Sequence, residues 1–567
     1  MARYRWRVRP TDETKAARLA TELNISRVLA RLLVARGYTE PEDAYRFLNP
    51  SLSDLSSPKR LPDIEPAVYR LALAVEHKEP VLVYGDYDAD GVTATALWIR
   101  TLRRLGVPVE PYIPKREQEG YDLHPNAIDA AKRMGARLVL TCDCGVRAHH
   151  AVDALNAAGL EVIITDHHEP SDRLPNALAV VNPKRADSQY PFRELSGVGV
   201  SFRVAEALLM ERKLPIRGFY NRMLDLVAIG TVADVMPLIG ENRVLVKLGL
   251  ECLHRTERVG LQSLKRLAGI NRYPTARDIS FGLAPRLNAA GRLEDATLAL
   301  QLLLEEDAEA AHTIAERLNA HNRIRQDLQE AAVQEAIAQV EGENLTRHRA
   351  LVVLSPNWHH GVVGLVAGKL RERYYRPVAA ATLDAKSGIV RGSLRSIPAL
   401  NLTELLQQMK PLCLQCGGHA AAGGFSATPE QFDALRDLIT HFANARLTDD
   451  DLVPTLEIDQ EITAGEATMR LLQELRMLEP FGVGNERPLF VCRSVEALGS
   501  HTSSNGRHLF LKVRGEGGLV CNAVLWDGSD YPIEPGARLD LAFEIEEDAY
   551  YGYGTLRWVV RDFEEVV

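Results

Sequence analysis

A chain of 567 residues is too long for one hydrophobic core and predicts about three or four units joined by linkers. Hydrophobic residues make up 46% and charged residues 25%, ordinary globular usage that excludes wholesale disorder and fibrous repeats. No run of about 18 apolar residues occurs and the basic start MARYRWRVRP leads into no apolar stretch, so neither a membrane span nor secretion is expected. The net charge of −9 is uneven: residues 451–567 carry 10 Lys and Arg against 21 Asp and Glu, leaving 57 against 55 in residues 1–450. A phosphate-binding channel therefore belongs to the first 450 residues. The seven cysteines show no repeated spacing and fit a reducing cytoplasm. The single Cys413–Cys416 pair, with no second pair or His pair near it, reads as ordinary thiols.

Residues 1–60 read as a lead-in of short helices ending in the Ser- and Pro-rich connector NPSLSDLSSPKRLPD. Residues 61–305 read as an α/β domain, in which the apolar runs PVLVYG, VPVEPYIP, RLVLTC and LEVIIT alternate with helices and so predict a parallel, doubly covered sheet. Residues 306–345 hold a Gly- and Pro-poor run of helix formers that predicts a connecting helix. A second, smaller α/β domain follows over 346–448. Residues 449–567 alternate short strands (HLFLKVRG, GLVCNAVLW, ARLDLAFEI, TLRWVVRDF) with Gly and Pro turns, as in a small OB-like β-barrel.

Three predicted parallel strands run straight into acidic or imidazole side chains. VLVYG leads to Asp86, Asp88 and Asp90; LVLTC leads to Asp143; EVIIT leads to Asp166, His167 and His168. Ligands bind at the carboxyl edge of open α/β sheets, so these groups are expected in one crevice, with Asp234 of GTVADVMPL closing the ring. A lone DxD is more often a solvated turn and a lone Asp after a strand a helix cap; the coincidence at three strand ends carries the argument. Such a carboxylate cluster needs cations, and oxygen-rich sites with one or two imidazoles suit Mg²⁺ or Mn²⁺. Two such ions serve phosphoester hydrolysis. Cys142 and Cys144, flanking Asp143, are expected to point together into the core by strand alternation. In the second α/β domain, RGSLRS and CGGHAAAGGF combine a Gly-rich stretch with Arg, Ser and His. Taken alone that is more often a tight turn, but beside a metal site it suits an anion.

The motifs DYDADG, TCDCG, TDHHEP and GTVADVMPL, in this order, resemble the signature of the DHH phosphoesterase superfamily. The resemblance implies that Asp88, Asp90, Asp143, His167 and Asp234 ligate two divalent cations, Mn²⁺ or Mg²⁺. Asp86 and His168 would complete the catalytic set with Asp143 and His167. The Gly-rich domain resembles DHHA1, which implies substrate contacts from His419, Arg391, Ser393 and Arg395; WHHGVVG resembles its start, where His359 is structural or functional. PKREQEGYDL and APRLNAAGR resemble segments of the RecJ exonucleases that hold a 5′ end, which implies Arg116, Arg286 and Asn288. Asp122 departs from the Gly expected in EGYGL. The breadth of the likeness, including EPFGVGNERPLF, favours the RecJ exonucleases over shorter relatives acting on short oligonucleotides, and over a non-catalytic single-strand-binding scaffold. It implies 5′-to-3′ hydrolysis of single-stranded DNA in repair and recombination, with a single-strand-binding protein and a helicase as partners. The charge of −11 on the β-barrel leaves three roles open: strand binding through a narrow basic strip, partner docking, or capping the channel.

Overall fold

The computed structural model describes residues 4–115, 119, 122–293, 295–385, 387–531, 533–548 and 555–566. The first α/β unit is built on five parallel strands in the spatial order Val109–Tyr112, Val81–Gly85, Leu138–Cys142, Glu161–Thr165, Ala179–Val181. In sequence terms the order is 2-1-3-4-5, so the winding direction reverses between the strands Val81–Gly85 and Leu138–Cys142. That switch point opens a crevice beyond the carboxyl ends of the two strands. Residues of alternate parity fill two cores: Val81, Val83, Leu138 and Leu140 pack on one face, Leu82, Tyr84 and Val139 on the other. The second half of this unit is helical. Helices Gly197–Glu211, Arg217–Ala233 and Gly240–His254 bury apolar side chains almost all round and pack on the first face.

Helix Ala308–Gly342 runs on from this unit to a mixed five-stranded sheet over Leu351–Ala427, in which only the strands Leu351–Leu354 and Val378–Asp384 pair in parallel. The last unit is an OB-like barrel. Strands Phe490–Thr502, Leu509–Arg514, Val520–Leu525, Leu556–Glu565 and Arg538–Glu547 follow one another round it, and the last pairs back onto the first. Closure removes the exposed edges. Phe543 stacks on Trp558 in its core with ring centroids 3.9 Å apart.

The N-terminal helices do not stand apart as a lead-in. Leu29, Leu32, Leu33 and Phe47 share one core with the barrel residues Leu511, Leu541 and Phe543, and the strand Arg5–Val8 pairs in parallel with Thr455–Ile458. Their amphipathic faces are too small to form a core unaided, so they complete the barrel's. Arg36 seals the join by donating to both oxygens of Asp459, at 3.0 and 2.9 Å, and to Asn485 Oδ1 at 3.0 Å. This composite unit docks on the helical half of the first unit. Buried Arg243 donates to the carbonyls of Phe47 (2.9 Å), Leu478 (2.7 Å) and Met477 (3.1 Å), and Leu238 N–H donates to Val483 O at 2.7 Å.

The side chains of Arg36 and Asp459 are only 9% and 6% exposed. Asp459→Ala leaves the guanidinium buried without its carboxylate, and a loss of about 3–5 kcal/mol of unfolding free energy is expected, read as a lower urea midpoint, with earlier proteolytic release of residues 1–60. An unchanged midpoint would mean that the N-terminal helices are not held through this pair.

Candidate metal centre and facing cleft

Each acid of the cluster owes its position to a nearby backbone feature. Asp88 caps the helix Ala89–Arg104, one oxygen accepting from Asp90 N–H (2.9 Å) and Gly91 N–H (3.1 Å). Asp90, 1% exposed, lies in the first turn of that helix and accepts from Gly197 N–H (2.7 Å) and Val198 N–H (2.9 Å) at the start of Gly197–Glu211. A helix N-terminus suits a carboxylate. Asp143 follows its strand in the left-handed region at φ 63°. That single residue ends the strand and reverses the alternation, so Cys142 packs on one face of the sheet and Cys144 on the other. Both are core residues, but they do not share a face as strict alternation predicts. Asp234 ends the helix Arg217–Ala233.

Glycines make the space. A Cβ on Gly197 would stand 2.5 Å from Asp143, one on Gly230 2.6 Å from Asp90 Oδ1, and one on Gly91 2.6 Å from the Asp86 carbonyl oxygen. The sequence reading did not find Gly197, whose signal is the SGVG run before an apolar helix; Gly230 opens the GTVADVMPL motif, but its spacing role was not read.

His167 Nε2 lies 3.0 Å from Asp143 Oδ1, 3.4 Å from Asp234 Oδ2 and 3.9 Å from Asp90 Oδ2, with hydrogen-bond geometry to none of them. Buried donors and acceptors that face one another without bonding are what an ion-binding site requires. Three overlapping groups have ligand atoms within 4.8 Å of one another: Asp90, His167 and Asp234; Asp86, Asp88 and Asp143; Asp143, His167 and His168. Asp143 and His167 each belong to two of them, so both would contribute to binding if the groups were occupied. The donor set fits hard divalent ions.

The charges agree with this reading. Burial, then Asp88, pushes Asp90 up to about 7. Burial and the neighbouring Asp90 and Asp88 raise Asp143 and Asp234 well above the ordinary carboxylate range. Burial, reinforced by His168, brings His167 down to about 3 and keeps its ring neutral, as a ligand must be. His168 differs. Burial works against its charge, but its hydrogen bond to Asp166 Oδ1 at 2.8 Å and the charges of Asp166, Asp234 and Asp86 outweigh that and lift it to about 9. Asp166 itself points away from the cluster and accepts from Val146, His167 and His168 N–H, fixing the loop that presents both imidazoles.

The remaining expected residues divide. Asn288 Oδ1 accepts from Ala89 N–H at 2.7 Å, so it braces the DYDADG loop. All three donating nitrogens of Arg286 are engaged by neutral acceptors, Asn319 Oδ1 (3.0 Å), Gly282 O (2.6 Å) and Leu267 O (3.4 Å), which makes it a strut between helices. Arg116 lies outside the described residues. Asp122 has φ 84°, where glycine is the easy choice, and uses its carboxylate to hold Gly145 N–H at 2.6 Å beside Asp143. Arg391, Ser393 and Arg395 alternate onto one face of the strand Ile389–Arg395. Arg395 Nη1 donates to Ser393 Oγ at 2.9 Å and is registered opposite Ala422, next to the His419 turn. Arg391, roughly 13 Å along the strand, leans toward Asp384 at 3.7 Å. His359 caps the turn His360–Val362, accepting from Gly361 N–H at 3.1 Å. Burial lowers His419, and the charges that lower it further are Arg395, Lys184, Arg147 and His168, which places the Gly-rich turn across a cleft from the metal centre. Lys184 and Arg147 were not found from the sequence; both approach Glu169, the residue after His168.

Asp90 binds its proton more tightly in the folded protein, about 7 against an ordinary 3.8, so the stability it contributes is full below about pH 4 and lost as pH rises through 7. His168, raised from 6.5 to about 9, adds a loss up to pH 9. In EDTA the melting midpoint is expected to fall by roughly 5 °C or more between pH 4.5 and 9, the Asp90 part below about pH 7 and the His168 part between 6.5 and 9, and saturating Mn²⁺ to cancel most of the fall. A profile in EDTA that is flat from pH 4.5 to 7 would mean that the carboxylates do not repel one another in the fold.

Comparison with known proteins places these features in one lineage. The DHH family N-terminal domain matches residues 80–231, the DHHA1 domain 348–445 and the RecJ OB domain 458–562. The single-stranded-DNA-specific exonuclease RecJ of Bacillus subtilis is 38% identical over 547 residues, covering 96% of this chain and 69% of that protein. RecJ of Escherichia coli is 33% identical, covering 98% of each chain. The crystal structure of RecJ from Thermus thermophilus in complex with Mn²⁺ superposes with a TM-score of 0.86 at 32% identity, covering 100% of this chain and 80% of that one. With every metal-binding motif present and the three domains in the same order over nearly the full length, the chain belongs to the RecJ family of single-stranded-DNA-specific exonucleases.

Proposed function

We propose that the protein is a 5′-to-3′ exonuclease specific for single-stranded DNA that releases 5′ mononucleotides with two divalent cations, Mn²⁺ or Mg²⁺, and acts in DNA repair and recombination. The observation that carries the reading is the convergence of Asp86, Asp88, Asp90, Asp143, His167 and Asp234 at a sheet switch point, near the charges of Arg395, Lys184 and Arg147. Two bound cations would lower the pKa of an attacking water and neutralise charge on the scissile phosphate.

The chain's own residues supply the rest. Asp86, Asp88, Asp90, Asp143, Asp234 and neutral His167 form the binding set. Protonated His168, held by Asp166, keeps a positive charge beside the cluster through neutral pH and is placed to stabilise charge on the phosphate. Arg395, Ser393 and His419 grip the substrate backbone from the opposite wall, with Arg116 and Arg286 near the 5′ end. Residues 61–305 would then be the catalytic unit and 346–448 the substrate-binding unit, joined by the 306–345 connector, with residues 1–60 and 449–567 flanking the channel. Single-stranded DNA is the partner, and a single-strand-binding protein and a helicase are proposed alongside it. The cytoplasm is the proposed location, where the seven free cysteines stay reduced. Among the described residues no helix is long and apolar enough to cross a membrane.

The test compares a long single strand, its duplex and a dinucleotide, each with Mn²⁺ or EDTA, using the wild type and Asp143→Asn. Metal-dependent release of mononucleotides from the 5′ end of the long strand is expected, reduced on the order of 10³-fold by the substitution. Hydrolysis of the dinucleotide alone would replace this reading with a short-oligonucleotide phosphodiesterase, and binding without hydrolysis would make the protein a scaffold.

A further inference from the structure

The most exposed large apolar side chain among the described residues is Phe281, at 74%. It lies in a five-residue π-helical turn, Ile279–Leu283, whose Ile279 and Leu283 are fully buried, so the turn is anchored on both sides while the phenyl ring stands in solvent. Turns of this kind inside helices are frequent at functional sites. Here the turn is kept open from below, where Arg286 Nη1 donates to Gly282 O at 2.6 Å. The chain continues directly into the helix Ala284–Leu293, which carries Asn288 against the catalytic loop. Seven residues separate Phe281 from Asn288, roughly 10 Å at the helical rise.

The surroundings of the ring are cationic. The Arg277 guanidinium carbon is 5.4 Å from the ring centroid. Arg286, Arg323 and Arg325 lie close enough for Arg323 to lower Arg286 and for Arg286 to lower Arg325, after burial in each case. The hydrogen bonds that Arg286 and Arg325 donate end on neutral acceptors. Among the described residues none of these four arginines has a carboxylate partner, in a chain whose acidic residues outnumber its basic ones. An exposed phenyl ring with Arg277 beside it, on a turn backed by the unneutralised Arg286, Arg323 and Arg325, calls for a ligand with anionic groups and flat apolar faces together, which single-stranded nucleic acid offers at every residue.

We propose that Phe281 and Arg277 form a base-stacking subsite for the single strand, on the 3′ side of the scissile phosphate within the first few nucleotides of the held 5′ end. The inference rests on the exonuclease reading. It gives the strand a sequence-tolerant grip outside the metal site, since every base has a face to stack and none is read by hydrogen bonds.

The experiment uses the full-length protein with Mn²⁺ and 5′-phosphorylated single strands in which an abasic residue is walked through the first six nucleotides, comparing wild type, Phe281→Ala and Phe281→Trp. On the intact strand, Phe281→Ala is expected to raise KM about tenfold with little change in kcat, and Phe281→Trp to restore it. At one abasic position the wild type should drop to the level of Phe281→Ala, and Phe281→Ala should lose nothing further. Equal activity of Phe281→Ala and wild type on the intact strand overturns the proposal and leaves the ring to another occupant, such as a protein partner. A defect that persists at every abasic position overturns it as well, because the lost contact would then not be with a base. If the wild type releases no mononucleotides from the intact strand, the exonuclease reading fails first and this inference with it.

Discussion

Mutual repulsion among five carboxylates crowded at the edge of one sheet is the constraint that the rest of the structure serves. Asp86, Asp90 and Asp143 are buried, and Asp88 and Asp234 half-buried; each uncompensated charge at a buried place costs several kcal/mol. The fold offsets part of this itself. Helix N-terminal amides meet Asp90, the Asp88 carboxylate caps its own helix, and protonated His168 stands at the rim. The remainder is left for ions. That deficit is what distinguishes a metal centre from a structural acid cluster, which would be bonded to its neighbours throughout.

Crowding of this kind demands close backbone approach, and the helical half of the catalytic unit provides it. Gly197 and Gly230 lie on two different helices and clear space for two acids of the cluster, Asp143 and Asp90. Behind Asp234, the chain through Met236 to Ile239 meets the loop Phe481–Asn485 of the C-terminal unit, where a Cβ on Gly482 would come 2.7 Å from Leu238. The barrel, complete only with the N-terminal helices, therefore braces the last acid of the cluster through Arg243 and Leu238. A −11 charge on that unit is compatible with this bracing role, because the contact is made through backbone carbonyls and apolar packing.

Much of the site was legible because its information is local. A strand running into DYDADG, TCDCG or TDHHEP places its acids at the carboxyl edge whatever follows, while Asn288, expected at the held 5′ end, braces the DYDADG loop. Where the local pattern did not suffice, a single backbone angle or a distant partner decided. Cys142 and Cys144 part company because Asp143 turns left-handed. Arg286 becomes a strut because Asn319, Gly282 and Leu267 converge on its guanidinium. Lys184 and Arg147 carry no motif and matter only through their position beside Glu169.

The chemistry is written in the order of residues: which strands end in acids, which imidazoles follow, and the succession of α/β, helix, α/β and barrel units, since periodicity and turn residues act over a few positions. How those pieces combine is a matter of packing in three dimensions. Packing brought the acids and His167 within ligand distance of one another, drew the N-terminal helices into the barrel core and left Phe281 in solvent beside Arg277. Those outcomes depend on contacts between residues far apart in the chain, in places by hundreds of positions, whose free energies come from burial and geometry that no local pattern encodes.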